Sequence, residues 1–536
     1  MKKIFISIIV LIFFTSIVPK AKFRDKIDIK WSNLEKSKLK KTPLGDVVGH
    51  DETGIYVKFL QPAVEMGIIT LAAGGVKFSY LLQHYDNDMK LTSSKKIELD
   101  KGYELESVFQ FGDELYLMST FNNKDIRKKE LFVQKINKKT LNVEQEKKRL
   151  AASVNMVAFN GNKANLYNDN GEGAYDYIIS RDKTKLLVYF KQTTENKSDN
   201  EIVGVQVYEA GFNMLWSNTY EIPFENELFS IRKVKVNNDG KVYLLGKEYK
   251  EKHKNEVDGL PNFKYRLLCL SELANKFDTF IIDLEDKFIT DIELTITEKQ
   301  NEVICSGFYS ENDLNGIIGS FYFRFDTQSN KIVSSTTNQF SDEFLLDNAY
   351  SYGKKMNKIE KIKEKGLTNY SLDQVILRED GGIVLISEYK CSLSSNSSSR
   401  VACYNILSIN ISPSGEVEWS TKIDKKQLAY SDDEYIISYE TIVIKDKIYF
   451  IFNDEKENIL NPNLENIKAF KPNKMAITSI VELGSDGVQH KEILFAYQEI
   501  NLFAIPDLTE QISENEVILF AGQTLKGGKL AKLTFK

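Results

Sequence analysis

Ile29-Lys30-Trp31-Ser32-Asn33 returns downstream as Met214-Leu215-Trp216-Ser217-Asn218 and, more loosely, as Val417-Glu418-Trp419-Ser420-Thr421. These three segments hold every tryptophan of the 536-residue chain, each followed by serine. The second and third end strand-rich units, whereas the first stands near the N-terminus with no unit in front of it. An orphan strand of this kind is expected if the chain closes into a ring and its first strand completes the last unit.

The repeat itself supports that reading. Eight segments join a turn to an apolar strand, among them Asp113-Glu114-Leu115-Tyr116-Leu117, Gly240-Lys241-Val242-Tyr243-Leu244 and Asp446-Lys447-Ile448-Tyr449-Phe450. They recur every ~56–80 residues, and each reads as the second strand of a hairpin. Their near-continuous apolar character suits strands covered on both faces. In the fourth unit, Phe229 to Val236 reads as strand A, Val242 to Tyr249 as B, Tyr265 to Leu270 as C and Phe277 to Leu284 as D. Other units begin near Asp46, Glu104, Tyr175, Ile289, Leu372 and Tyr435. The last, from Leu502, ends at Lys529 to Phe535 one strand short, and Lys26 to Leu34 is the spare one. The expected fold is all-β: an eight-bladed β-propeller closed by the N-terminal strand, with seven blades as the alternative. Two sandwich domains fit less well, because nothing between the units reads as a linker. Trp31, Trp216 and Trp419 are assigned structural roles, with Trp31 expected to be buried between blades.

Loop lengths divide the ring into two faces. The A-B turns and most C-D turns are tight, as at Asn238-Asp239-Gly240 and Pro413-Ser414-Gly415. Long connections fall at the other end: Gln61 to Gly75, Lys191 to Asn200, Lys250 to Phe263, Ser392 to Arg400 and Asp454 to Asn473 join B to C. Leu150 to Gly173 and Phe340 to Ser371 join D to A. Variable loops on a rigid scaffold are where binding usually sits, so function is placed on the elaborated face. The insertion over 341–370 contains a helix pattern, Met356, Ile359 and Ile362, stopped by Gly366. The surrounding lysines include Lys355, Lys358 and Lys361; with the acidic pair Asp432 and Asp433 they are the candidate binding residues. Most such charge is simply solvated helix or loop surface.

The N-terminus reads as an export signal. Lys2 and Lys3 precede the apolar run Ile4 to Val18, with cleavage after Ala21 or retention as an anchor as the two outcomes. Residues 1–21 are thus a leader and 22–536 a single propeller domain, placed in the periplasm or at the cell surface. Cys391 and Cys403 flank a polar loop between two strands and are the candidate disulfide, while Cys269 and Cys305 read as buried small apolar residues. A formal net charge of −5 with interspersed charges speaks against a nucleic-acid partner. The histidines, His50, His84, His253 and His490, show no ligand spacing, so no metal is assigned. No HExxH, GxSxG or phosphate-cradling loop occurs. Tyr167 to Glu172 has the oxygen-rich look of a calcium loop but reads better as a turn. The apolar stretch Leu60 to Gly75 reads as a short strand or plug, or, if exposed, as a docking patch.

Leu407-Ser408-Ile409-Asn410-Ile411-Ser412-Pro413-Ser414-Gly415-Glu416-Val417-Glu418-Trp419 resembles the repeat of pyrroloquinoline-quinone-type propellers, in which a terminal Trp locks neighbouring blades. Asn410 stands where that repeat usually has Asp. The quinone enzymes also carry adjacent cysteines and a calcium-binding carboxylate set. This chain has no adjacent cysteines, so no cofactor is carried over. The resemblance instead implies a relative of the non-enzymatic periplasmic scaffolds. The expected function is a monomeric, non-catalytic binder of an envelope protein or glycan; the alternative is a polysaccharide hydrolase or lyase with carboxylates at the central channel.

Overall fold

The structure is a computed structural model that describes residues 23–34, 45–62, 78–126, 128–155, 175–192, 200–251, 254–272, 277–297, 301–351, 354–395, 398–460, 467–523 and 527–536. Among the described residues, eight antiparallel blade sheets follow one another along the chain, seven of four strands and the sixth of five, its fifth strand being Gln427–Tyr430. Their innermost strands, A, are Gly45–Asp51, Tyr103–Phe111, Tyr175–Ile179, Phe229–Val236, Phe288–Thr297, Tyr370–Leu377, Glu440–Ile444 and Phe503–Gln511. The eighth sheet is completed out of sequence. Ile27–Trp31 pairs with the last strand, Gly527–Phe535, in the register Ile27↔Phe535 to Trp31↔Ala531. Eight blades closed by the N-terminal strand is therefore the architecture.

Why these segments become blades follows from their burial. Strand B of each unit lies inside a sheet whose two faces meet neighbouring blades: all eight residues of Ala476–Leu483, a C strand, and eight of nine in the B strand Glu302–Ser310 are buried. Outer strands have one wet side, and Lys331–Gln339 has no buried residue. Between consecutive blades lie eight apolar cores, one per interface. The core that joins blade 8 to blade 1 sets Ile505, Ile518, Phe520 and Leu530 against Ile55, Val57, Phe59 and Tyr85. Each core is shared by two sheets, so stability arises from neighbour-to-neighbour packing rather than from one central core.

The three tryptophans have different environments. Trp216 and Trp419 donate their indole N–H groups to backbone carbonyls of the next blade, Gly240 at 3.0 Å and Ser485 at 2.8 Å. Trp31 is only half-buried, a correction to the expected burial: it ends its strand and meets Phe495 edge-on at 5.2 Å between centroids. Ile27, at the other end of the strand, is the buried anchor at 3% exposure. The 341–370 insertion also differs from the expected single helix. It holds two, α1 (Asp342–Asn348, capped by Ser341) and α2 (Ile359–Lys365, ended at Gly366 with φ 66°), and Met356 lies ahead of α2.

The candidate disulfide is also corrected. Cys391 stands opposite Ala402 and Cys403 opposite Lys390, so the two thiols are one residue out of register and point to opposite faces of the hairpin; all four cysteines are free.

Closure predicts an order of effects. Ile27→Ala removes a fully seated side chain and should cost ~2–4 kcal/mol, while Trp31→Ala, half in solvent, should cost about 2 kcal/mol or less. Urea unfolding monitored by circular dichroism gives both; a Trp31 effect larger than that of Ile27 contradicts this assignment.

Candidate binding face and axial channel

The A strands of neighbouring blades touch one another around the axis, in the pairs of blades 1–2, 3–4, 4–5, 5–6, 7–8 and 8–1. Solvent-accessible side chains on these strands are flanked by the adjoining blades and reach water through the axial channel. In six blades the A strand is out of step with strand B, in five of them by one extra residue: Val48, Glu106, Arg232, Thr290 or Asp373. The extra residue is third or fourth in its strand, so the bulges form a level within the ring. A bulge re-aims a side chain and ends the regular ladder locally. In blade 5 the bulge brings the Asp291 carbonyl so close to Gly307 that a Cβ there would lie 1.9 Å from it, which requires glycine.

Chains run along strand A from the long-loop end to the short-turn end, so residues early in the strand stand nearer the long-loop mouth. Glu440 is first in its strand, Asp291 and Asp373 fourth, and Asp507 and Glu510 fifth and eighth. Crowding by the ring dominates their titration. Burial pushes Glu440 up to about 8, reinforced by Asp507 and Glu510. Burial likewise raises Glu510 to about 7, and Asp373 and Asp291 to about 6 each; Asp507 also rises. Two contacts oppose the effect. Tyr439 donates its hydroxyl to Asp373 at 2.7 Å, and the Leu372 backbone N–H of blade 6 donates to Asp291 of blade 5. Water enters freely enough that Asp373, Asp507 and Glu510 remain exposed. The channel is therefore lined by carboxyl groups of graded acidity, with Glu440 the most strongly raised of those described, Glu510 next and Asp291 and Asp373 below them.

Among the described residues, the long-loop face carries most of its extra elements over blades 5 to 8. Strands B and C of blade 6, Ile383–Ser395 and Ser398–Ile411, extend past their sheet, and Gln427–Tyr430 adds to the extension. Beneath it lies a buried polar layer. Lys425 forms an ion pair with Glu388, their side chains 0% and 4% exposed, and donates to Gln427 at 2.8 Å. Ser438 donates to Glu388, and Asn453 bonds both Ile436 and Ala504, tying blade 7 to blade 8. Full pairing is what makes such a layer tolerable in a dry interior.

The expected binding residues fall into two separate places. Lys355, Lys358 and Lys361 are exposed around α2, with Lys355 3.5 Å from Asp347. The stripe of α2 is seated as expected, since Ile362 is fully buried beside Leu345 and Leu367. Asp432 and Asp433 belong to the 3-10 turn Ser431–Ile436; Asp433 is half-buried, and the Asp432 side chain lies outside the described residues. Tyr167 to Glu172 also lies outside them, as does all but the start of Leu60 to Gly75. Among the described residues no three His, Cys, Asp or Glu side chains converge on a metal position.

Sequence reasoning raised carboxylates at the central channel only within the enzymatic alternative and named no residue for them, and it missed the Lys425–Glu388 layer. The signal for the former was present: Asp291, Asp373 and Glu440 each interrupt or open an apolar first strand. One histidine has an ordered role at the short-turn face. Thr53 bonds both Asp51 (2.5 Å) and His84 Nε2 (3.1 Å), while Lys138 of blade 2 reaches Asp51 at 2.9 Å. The imidazole is backed by Thr92 rather than by a carboxylate, so this is a clamp on the hairpin turn and not a nucleophile-base-acid relay.

No family model matches the chain, and no curated protein matches it. Solved structures similar to it include the WD40 domain of SCAP from fission yeast, at 9% identity over 95% of this chain and 98% of that one, TM-score 0.39. The β-propeller domain of the Trilobed protease from Pyrococcus furiosus is 8% identical over 86% and 97%, TM-score 0.34. A PL25 ulvan lyase is 8% identical over 78% and 92%, TM-score 0.36. These likenesses are of general fold and carry nothing about chemistry.

Two measurements test the site energetics. Lys425→Ala leaves Glu388 buried and unpaired and should cost ~3–5 kcal/mol, whereas Lys425→Met with Glu388→Met should recover most of it; a double-mutant cycle in urea decides. For Glu440, an acid whose folded pKa is raised, stability is greatest below about pH 4.5 and falls as pH climbs toward about 8. The melting temperature should therefore drop between pH 5 and 8.5, and Glu440→Gln should flatten that slope.

Proposed function

We propose that this chain is an exported, non-catalytic propeller that binds an envelope protein or glycan on its long-loop face, over blades 5 to 8. The observation that carries the reading is the arrangement of that sector: a raised, internally braced platform beside an acidic channel mouth. The Lys425–Glu388 layer fixes the platform, so a partner meets preformed loops and little ordering entropy is lost on binding. The lysines around α2 give it a basic patch, and Asp373 at the channel, mostly ionised at neutral pH, gives a separate acidic point, which favours one orientation of an approaching partner. The resemblance to periplasmic scaffold propellers points the same way.

A second reading has its own support. Asp373 with Tyr439, beside Glu440 and Asp507, sets carboxyl groups of unequal acidity at one mouth, as acid-base chemistry on a polysaccharide requires. Replacing the hairpin tip 394–399 by a short turn together with Lys355→Glu, Lys358→Glu and Lys361→Glu, all three exposed, should abolish capture of envelope partners and shift the melting temperature by less than about 3 °C. Glu440→Gln should leave capture intact. Undiminished capture by the trimmed protein refutes the binding reading, and release of new sugar ends that disappears in Glu440→Gln establishes the enzymatic one.

A further inference from the structure

The outer strand of blade 5 is unlike the other seven. Lys331–Gln339 reads Lys-Ile-Val-Ser-Ser-Thr-Thr-Asn-Gln, with no charge after its first residue, no proline and no glycine, and none of its side chains is buried. It is the last strand of its sheet, and among the described residues no other strand pairs with its free side. Such an edge offers a row of open main-chain donors and acceptors, and proteins ordinarily guard it with charge, proline or shortness. The outer strands of blades 1, 2, 4, 6, 7 and 8 carry Lys95, Arg149, Asp278, Glu418, Lys491 and Lys30 respectively. Blade 3 comes nearest to blade 5, since Asn213 to Tyr220 is uncharged, but Glu221, Pro223 and Glu225 follow in the same strand.

The blade 5 strand is also held ready to pair. Ser334 donates to the Ser414 carbonyl at 2.7 Å, and Thr336 and Asn338 both donate to the Gly415 carbonyl at 2.8 Å. One face of the strand is thereby fastened to the C-D turn of blade 6, while Ser335, Thr337 and Gln339 are exposed on the other. The Phe340 N–H turns inward to Ile318 at 2.9 Å. Alternation along the strand then turns the N–H and C=O groups of Gln339, Thr337 and Ser335 to the open edge. Because the extended shape is fixed beforehand, an added strand costs this one little ordering entropy.

Charge indicates what fits there. In an antiparallel register with Thr337 on a two-fold axis, Thr337 faces its own copy, Ser335 faces Gln339 and Val333 faces Ser341, so no like charges meet. The same register brings Lys331 of each copy toward the start of α1 in the other, where Glu343 stands. Lys331 and Glu343 are both exposed, and among the described residues neither forms an ion pair within its own chain. The match is reciprocal, as a two-fold interface requires.

We propose that this edge is an interface between two copies of the chain, the two four-stranded sheets of blade 5 joining into one across it. A single strand edge buries less than the ~1,200 Å² of a standard interface, so the dimer is weak and depends on concentration. This departs from the monomer expected from the sequence, and it is independent of the partner on the long-loop face.

Sedimentation velocity of the full chain between about 1 and 100 µM should show monomer giving way to dimer. Thr337→Pro removes an outward N–H that the sheet does not use, so it should leave the protein monomeric throughout with an unchanged circular dichroism spectrum. Lys331→Glu and Glu343→Lys should each weaken the dimer about threefold or more, and both changes in one chain should restore it. Should Thr337→Pro disturb the blade, the charge exchange alone decides. A full chain that stays monomeric across the range overturns the proposal, whether or not a foreign strand binds the edge. So does a folded Thr337→Pro protein that still dimerises, or a dimer that either single charge reversal leaves untouched or that their combination fails to restore.

Discussion

Antiparallel pairing between Ile27–Trp31 and Ala531–Phe535 is the constraint on which the ring depends. Without it, the eighth sheet has three strands, and the end of the chain meets blade 1 through side-chain packing and the Lys532–Asn87 hydrogen bond but through no strand pairing. Five residue pairs are few, but their effect is multiplied by what they complete. The strand adds Ile27 to the core between blades 7 and 8. Ser32 then exchanges hydrogen bonds with Leu530 at 2.8 and 2.9 Å, just beyond the last pair. Strand C of blade 8 is covered, and the outer edge passes to a five-residue strand that carries exposed Asp28 and Lys30.

Around that closure, two kinds of interaction divide the work. Apolar cores between blades supply most of the stabilisation, since each buries large side chains from both partners; a Val, Leu or Phe so placed contributes roughly 1.5–3 kcal/mol. Polar contacts act at blade ends and fix relative position. The indoles of Trp216 and Trp419 each join one outer strand to the turn of the following blade, and the Lys425–Glu388 layer joins blade 6 to its own crown. The first kind is tolerant of exchange among apolar residues of similar volume, whereas the second fails if one partner is removed.

The ring was legible in the sequence because its evidence is periodic. Turn-strand segments recur, Phe229–Val236 and Val242–Tyr249 fall where the pattern places them, and the count of strands leaves one over. Boundaries were weaker where polar residues enter the first strand: blade 7 begins at Glu440, not Tyr435, because Tyr435 lies in a 3-10 turn. The cysteine pair failed for a related reason. A hairpin pattern gives two facing strands but not their register, and a bulge between Glu388 and Lys390 shifts it by one residue. The channel carboxylates are harder still. Asp291, Asp373, Glu440 and Asp507 come from four units and share an environment only because the ring brings first strands together.

Closure by the N-terminal strand also has a consequence for how the protein is made. Ile27–Trp31 leaves the ribosome ahead of blade 1, and its partner Gly527–Phe535 follows some 500 residues later. At ~5–20 residues per second the first strand waits about 25–100 s for its mate. Throughout that interval, blades 1 to 7 can stack by nearest-neighbour packing, yet the nascent ring stays open. The waiting strand is short and alternates exposed Asp28 and Lys30 with its apolar residues, a pattern that resists premature pairing. Ring closure is thus the capture of an early segment by one made some 500 residues later.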